Sequence, residues 1–259
     1  MAEARFYLKL FVFRMREPFT DFLATGITYV LYCFFVWLLS MVWMRFNAHN
    51  SLFTFKQVLL YIGVTELLFM SFLSLRAITG ATEDFALFLA RPRSWVGREI
   101  MANIGMNLGK RLLFALSLIG FSYLLGAQPE DPPAFLARLA LLLVLLALPQ
   151  ALIATLFSTL RLTFPQSDYF VLPFSKIFLA LGGVFGPLSD YGEPWRWVFL
   201  NLPGADLFFQ PAFFAVHGYF FETDFANWAL RLIVLNAVLL IVTLFFYQRG
   251  RRAYQAWGG

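Results

Sequence analysis

Cysteine is almost missing from this chain: Cys33 stands alone among 259 residues, so no disulfide can form within it. Histidine is nearly as scarce, with only His49 and His217, which excludes a histidine-rich metal site. Charge is thin, since Asp, Glu, Lys and Arg make up 14% of the residues where about 25% is usual in a globular domain. No G-x-S-x-G, H-E-x-x-H or C-x-x-C occurs, so membrane proteases and metalloenzymes lose their usual tools. One stretch is close to a nucleotide loop, Gly105-Met-Asn-Leu-Gly109-Lys110-Arg111. A phosphate-binding loop needs four residues between its glycines and Ser or Thr after the lysine; here there are three, followed by Arg. The chain is therefore expected to bind no ATP, metal or other cofactor of its own, and to be no enzyme by itself.

What is abundant is apolar surface. Hydrophobic residues reach 60%, with 33 Phe, 10 Tyr and 7 Trp, and the mean hydropathy is +0.71. One soluble core cannot hide so much, which rules out an ordinary soluble enzyme, a disordered tail and a disulfide scaffold. A helix needs about 20 apolar residues to cross a hydrocarbon core of about 30 Å. Continuous runs of that kind predict six membrane-spanning helices, at 22–44, 58–75, 100–125, 139–160, 169–189 and 226–248. A transmembrane barrel would show alternating runs of about 10 residues instead. The fold class is thus all-α, a single polytopic transmembrane domain over 1–259.

Lysine and arginine set the orientation. With the N-terminus inside, fourteen basic residues fall on the inner side and five on the outer, with Lys176 within a span. Acids lean outward: Glu130, Asp131, Asp190, Glu193, Asp206, Glu222 and Asp224. Both termini are expected to be cytoplasmic. No cleavable signal peptide or organelle presequence is visible, and the expected location is a bacterial inner membrane.

Three segments outside the spans carry more apolar residues than a solvated loop would. In 2–17, Phe6, Leu10 and Phe13 share one helical face and Arg5, Lys9 and Arg16 the other, an amphipathic helix for the inner leaflet that Pro18 should end. In 82–93, Thr82 can cap a short cytoplasmic helix with Glu83 and Asp84 in its first turn. Phe85, Leu87, Phe88 and Leu89 follow, and Arg91, Pro92 and Arg93 close it. Exposed apolar surface there marks a partner site, unless the helix folds inward. The 190–224 segment, with Pro194, Trp195, Trp197, Pro203, Phe208, Phe209, Pro211, Phe213 and Phe214, reads as an external re-entrant hairpin. Pro203, Phe208, Phe209, Pro211 and Phe213 would form its gate; the alternative is a plain aromatic belt.

Ionisable groups within spans are candidates for function. Glu66 and Lys176 lie at comparable depth, about 15 Å and 12 Å along their helices by rise per residue. They could pair, or Glu66 could pair with Arg111; either a buried ion pair or a translocation path would result. Lys110 and Arg111 could both snorkel to headgroups. Gly105-x-x-x-Gly109 reads as a helix-packing site, Cys33 as a small apolar residue, and the two histidines as surface residues.

The order of these parts resembles the membrane subunit of an ABC-2-type exporter, in the bacterial permease branch. Two stretches carry the likeness: Ile78-Thr-Gly-Ala-Thr-Glu-Asp-Phe-Ala-Leu-Phe-Leu-Ala-Arg-Pro-Arg-Ser-Trp95, and Phe199-Leu-Asn-Leu-Pro-Gly-Ala-Asp-Leu-Phe-Phe-Gln-Pro-Ala-Phe-Phe-Ala-Val-His-Gly218. Thr79 stands where the family's loop often has a basic residue. The resemblance implies a half-transporter: two permease copies, or two related permeases, joined to two cytoplasmic ATPase subunits that hold ATP and Mg. Residues 83–93 would be the coupling helix, and the first, second and fifth spans would line the path, with Glu66 and Lys176 near it. No nucleic-acid partner is implied. The competing class is an ion- or proton-coupled secondary transporter using Glu66, although its commonest folds show an internal repeat that is not evident here. A membrane enzyme or scaffold is a third class, and the missing motifs weigh against it.

Overall fold

The computed structural model describes residues 2–20, 22–47, 53–70, 94–164 and 168–256, and every regular element among them is helical. In chain order they are α1 (Ala2–Thr20), α2 (Phe22–Asn47), α3 (Phe55–Met70), α4 (Trp95–Leu124), α5 (Pro132–Leu145), α6 (Ala147–Thr163), α7 (Asp168–Leu181), α8 (Trp195–Leu200), α9 (Gln210–His217) and α10 (Phe225–Ala256). A 3-10 turn at Leu188–Asp190 and a π turn at Ala205–Phe209 complete the set. Among the described residues, four stretches are long and apolar enough to cross a membrane: Gly26–Phe46, Trp95–Leu124, Pro132–Thr163 and Phe225–Arg252. The described residues are those of an all-helical membrane protein. The expected coupling helix at 82–93, with all its named residues, lies outside the described residues, as do 71–75 of the second expected span and His49.

Two expected spans differ in form, and each has a local cause. The fourth begins earlier, where the Asp131 side chain accepts from the Ala134 N–H at 3.1 Å and starts α5 at Pro132. It is then interrupted at Leu146. Pro149 lacks the N–H that would bond the Leu145 carbonyl, so the ladder opens just ahead of it. The fifth does not run to Ser189: α7 ends at Leu181 after 14 residues, short of the ~20 that a full crossing takes. Gly182-Gly183 follows, and Gly183 has φ +73°, a left-handed turn that favours glycine. The Tyr61 hydroxyl donates to the Gly183 carbonyl at 2.8 Å and pins that turn against α3.

Pro18 does not end the first helix, which continues to Thr20. A proline so near the C-terminus removes a single backbone bond, and Pro18 is buried against α4. The face of α1 laid on α4 carries Phe11, Arg14, Met15 and Pro18, whereas Phe13 is 66% exposed. The core lies around α3, buried without interruption from Val58 to Leu68, with α2, α4 and α9 packed about it.

Candidate functional site

Glu66 sits in the middle of this buried helix, 1% exposed. The Tyr32 hydroxyl of α2 donates to its carboxylate, and Oε2 has no hydrogen-bond partner among the described residues. Lys176 on α7 is exposed. It acts on Glu66 through space, and no ion pair joins Glu66 to it or to Arg111 among the described residues. The arrangement is a carboxylate held by one aromatic hydroxyl, with a cation at a distance. An ionised group so placed is costly unless paired or protonated.

Arg111 departs from the snorkelling expectation. It is fully buried, and its Nη1 donates to the Leu143 carbonyl at 2.8 Å. That carbonyl lies in the last turn of α5, beside the break at Leu146, where a helix leaves carbonyls unpaired and favours a cation. Lys110, next to it, is only half-buried. Sequence reasoning missed the polar stripe to which Arg111 belongs: Asn103, Asn107 and Arg111 recur every four residues and are all buried. The stripe faces both α5 and α6: Arg111 reaches Leu143 of α5, and Asn103 Nδ2 donates to Thr155 Oγ1 of α6 at 3.2 Å. An i, i+4, i+8 run of polar residues in an apolar helix was the signal available.

Gly105 and Gly109 lie on the opposite side of α4, under α1. A Cβ on Gly105 would lie 2.5 Å from the Phe11 carbonyl oxygen, and one on Gly109 closer still to that of Met15. Backbone lies on backbone here, the close approach that small residues permit. The start of α4 is held from three sides. The Ser94 side chain caps it, accepting from the Gly97 N–H at 3.2 Å. The Tyr7 hydroxyl of α1 donates to the Ser94 carbonyl at 3.5 Å. Trp95, 1% exposed, stacks on Tyr247 of α10 with ring centres 5.7 Å apart and packs near Leu162 of α6.

The segment expected to form a gate is mostly core. Phe208, Phe209, Pro211 and Phe213 are buried, and only Pro203 is exposed. Gln210 closes the turn after α9 with two bonds, Nε2 to the Phe221 carbonyl at 2.9 Å and Oε1 from the Phe221 N–H at 3.0 Å. Trp228 of α10 donates from Nε1 to the Asp206 carbonyl at 3.0 Å. His217 is no plain surface residue: it is half-buried, with ring centres 4.4 Å from Phe213 and 4.8 Å from Phe53. Burial lowers its basicity; Glu130 opposes this and Arg138 adds to it. Among the described residues, no three His, Cys, Asp or Glu side chains are grouped to hold a metal ion.

Burial also pushes the Asp206 carboxyl up from 3.8 to about 6, against the pull of Arg231 3.9 Å away. Between those values the folded state holds a proton that the unfolded state has lost, so stability falls as pH rises from about 4 through about 6. A shift of that size corresponds to a loss on the order of 3 kcal/mol. The thermal midpoint of Asp206→Asn should lack this component. The difference between wild type and variant, measured from pH 4 to pH 7, is expected to move against the wild type as pH rises; a constant difference would refute it.

Spanning helices, a buried acid and a clamped helix start define the class as an all-helical membrane protein with charged groups among its helices. No family model matches the sequence, and no curated protein matches it.

Proposed function

We propose that the chain is the permease subunit of an ATP-driven exporter of the ABC-2 type. In this reading six segments cross a bacterial inner membrane with both termini cytoplasmic, the fifth as α7 together with the turn that follows it to Ser189. Two permease copies, or two related permeases, form the path between them, and separate cytoplasmic ATPases bind ATP and Mg. Residues 83–93 dock on the ATPase. The observation that carries the reading is the three-sided clamp on α4. The segment 71–93 leads directly into a helix start held by Ser94, Tyr7 and the Trp95–Tyr247 stack. A push on such a segment is passed to α1, α6 and α10 as rigid bodies rather than lost in a loose loop. The inside-positive distribution of Lys and Arg supports the orientation.

A second reading, an ion- or proton-coupled secondary transporter, draws on the buried Glu66 with its unpartnered Oε2. Reconstituted vesicles separate the two. For the exporter, transport requires ATP and the ATPase subunit, and Glu66→Gln leaves the energy source unchanged. Transport driven by a proton gradient alone, and lost in Glu66→Gln, would replace the first reading with the second.

A further inference from the structure

The outer face of α10 changes from hydrocarbon to cation within two turns. Ile241 and Phe245 are 66% and 58% exposed, and Gln248, Arg249 and Arg252 after them are exposed too. Ile241, Phe245, Gln248 and Arg252 stand at i, i+4, i+7 and i+11, the spacing of a single helical stripe, with the exposed Leu244 and Arg249 on its flanks. Apolar surface thus runs down one side of a helix long and apolar enough to cross a membrane and ends on two guanidiniums. By rise per residue, Arg249 and Arg252 lie about 6 Å and 10 Å beyond Phe245 along the axis. A headgroup layer is roughly 5–8 Å thick, so the arginines stand at its level when Phe245 lies at the edge of the hydrocarbon.

Among the described residues, none of Arg249, Arg251 and Arg252 meets a carboxylate. A second helix adds charge of the same sign. Tyr247 of this turn stacks on Trp95, and the Tyr7 hydroxyl of α1 bonds the carbonyl of the preceding Ser94. Arg5 and Lys9 flank Tyr7 in α1, and both are exposed. Against these five cations α1 and α10 set one exposed acid, Glu3. An acidic protein surface would answer the charge and leave Ile241 and Phe245 without a partner. A phospholipid answers both, with a chain for the apolar half of the stripe and a phosphate for the guanidiniums, which bind phosphate by paired N–H donors.

We infer that this stripe of α10 binds an anionic phospholipid, with one acyl chain along Ile241 and Phe245 and the phosphate at Arg249 and Arg252. Arg5, Lys9 and Arg251 add to the field that favours an anionic over a zwitterionic headgroup. The binding does not depend on what drives transport.

The full chain, purified in mild detergent and reconstituted in nanodiscs with equal phosphatidylglycerol and phosphatidylcholine, tests this by native mass spectrometry of retained lipid. Wild type should retain phosphatidylglycerol in preference. Arg249→Gln combined with Arg252→Gln should lower that preference about 25-fold, at about fivefold for each basic side chain at the headgroup level. Arg252→Gln alone, expected to lower it about fivefold, serves should the double variant fold poorly. Arg45→Gln removes an exposed arginine from the last turn of α2 and should leave the preference unchanged. Equal retention of the two lipids by wild type would overturn the proposal. So would a preference untouched by the α10 variants, or one lowered as far by Arg45→Gln, which would make it a matter of net charge alone. A photo-cross-linker at Gln248 should capture lipid in native membranes; a protein adduct in its place would overturn the proposal by assigning the stripe to that partner.

Discussion

Replacing Gly105 and Gly109 together with leucine is expected to pull α1 off α4 and lower the thermal midpoint of the purified protein by ~10 °C. Each new Cβ would meet a backbone carbonyl of α1, at Phe11 and at Met15, and a carbonyl in a helix cannot swing aside as a flexible side chain can. Forcing side chains into such contacts costs about 1–3 kcal/mol each. For a chain of this size about 2–4 °C accompanies each kcal/mol. Leucine is the better helix former by close to 1 kcal/mol, so intrinsic propensity works against the predicted loss and makes it more telling. Gly120 lies in the same helix with nothing within 4 Å of an added Cβ. Gly120→Ala should leave the midpoint unchanged or raise it. Heating in detergent, followed by chromatography, reads both; a double variant as stable as wild type would remove α1 from its place on α4.

The second large effect is expected at Trp228. Its ring is fully buried, lies 4.9 Å from Phe220 and donates to the Asp206 carbonyl. That carbonyl belongs to the π turn at Ala205–Phe209, where helix bonds are displaced by one residue and a carbonyl benefits from an outside donor. Trp228→Ala opens a cavity and orphans the carbonyl together, costing ~4 kcal/mol. Trp228→Phe keeps most of the ring and loses the N–H, a change of about 1 kcal/mol. The order Ala, then Phe, then wild type in rising midpoint is the expected result, with new protease sensitivity in 190–224 for Ala. Equal midpoints for Phe and Ala would mean that the hydrogen bond, rather than the ring, holds the segment.

Much of the fold is legible in composition and run length, since both signal how far a helix can go before meeting charge. Phe22–Asn47 coincides closely with an apolar run for that reason, whereas Phe225–Ala256 starts with its run and continues past it through Arg249, Arg251 and Arg252. Interruptions were less legible, because a single residue can make them. Pro149 stood in plain view, yet a proline bends one helix and breaks another according to what fills the gap; here Arg111 reaches the freed turn from a different helix. The end of α7 rests on Gly182-Gly183 and on a hydroxyl from Tyr61, 122 positions earlier, a tertiary fact that no local pattern encodes.

The site divides in the same way. Glu66 stood out because a carboxylate in an apolar run is costly, but its partner did not: Tyr32 is one of several tyrosines, and only packing brings it there. Lys110 and Arg111 look alike in sequence. One hundred degrees of helical rotation separates neighbours, and that alone turns one outward and the other into the core. The external placement of His217 predicts a surface residue, but the aromatic rings of Phe53 and Phe213 pack against it.

The most direct test of the proposed function is a photo-cross-linker at Phe88, in the apolar stretch expected to dock on the ATPase. With Cys33 fully buried, a cysteine introduced at Asp84 also gives a clean readout of sidedness. In native membranes the proposal predicts a Phe88 adduct to an ATP-hydrolysing subunit, and labelling of the Asp84→Cys chain by impermeant thiol reagents only from the cytoplasmic face. Labelling from the outer face, with no ATPase in the adduct, would contradict it.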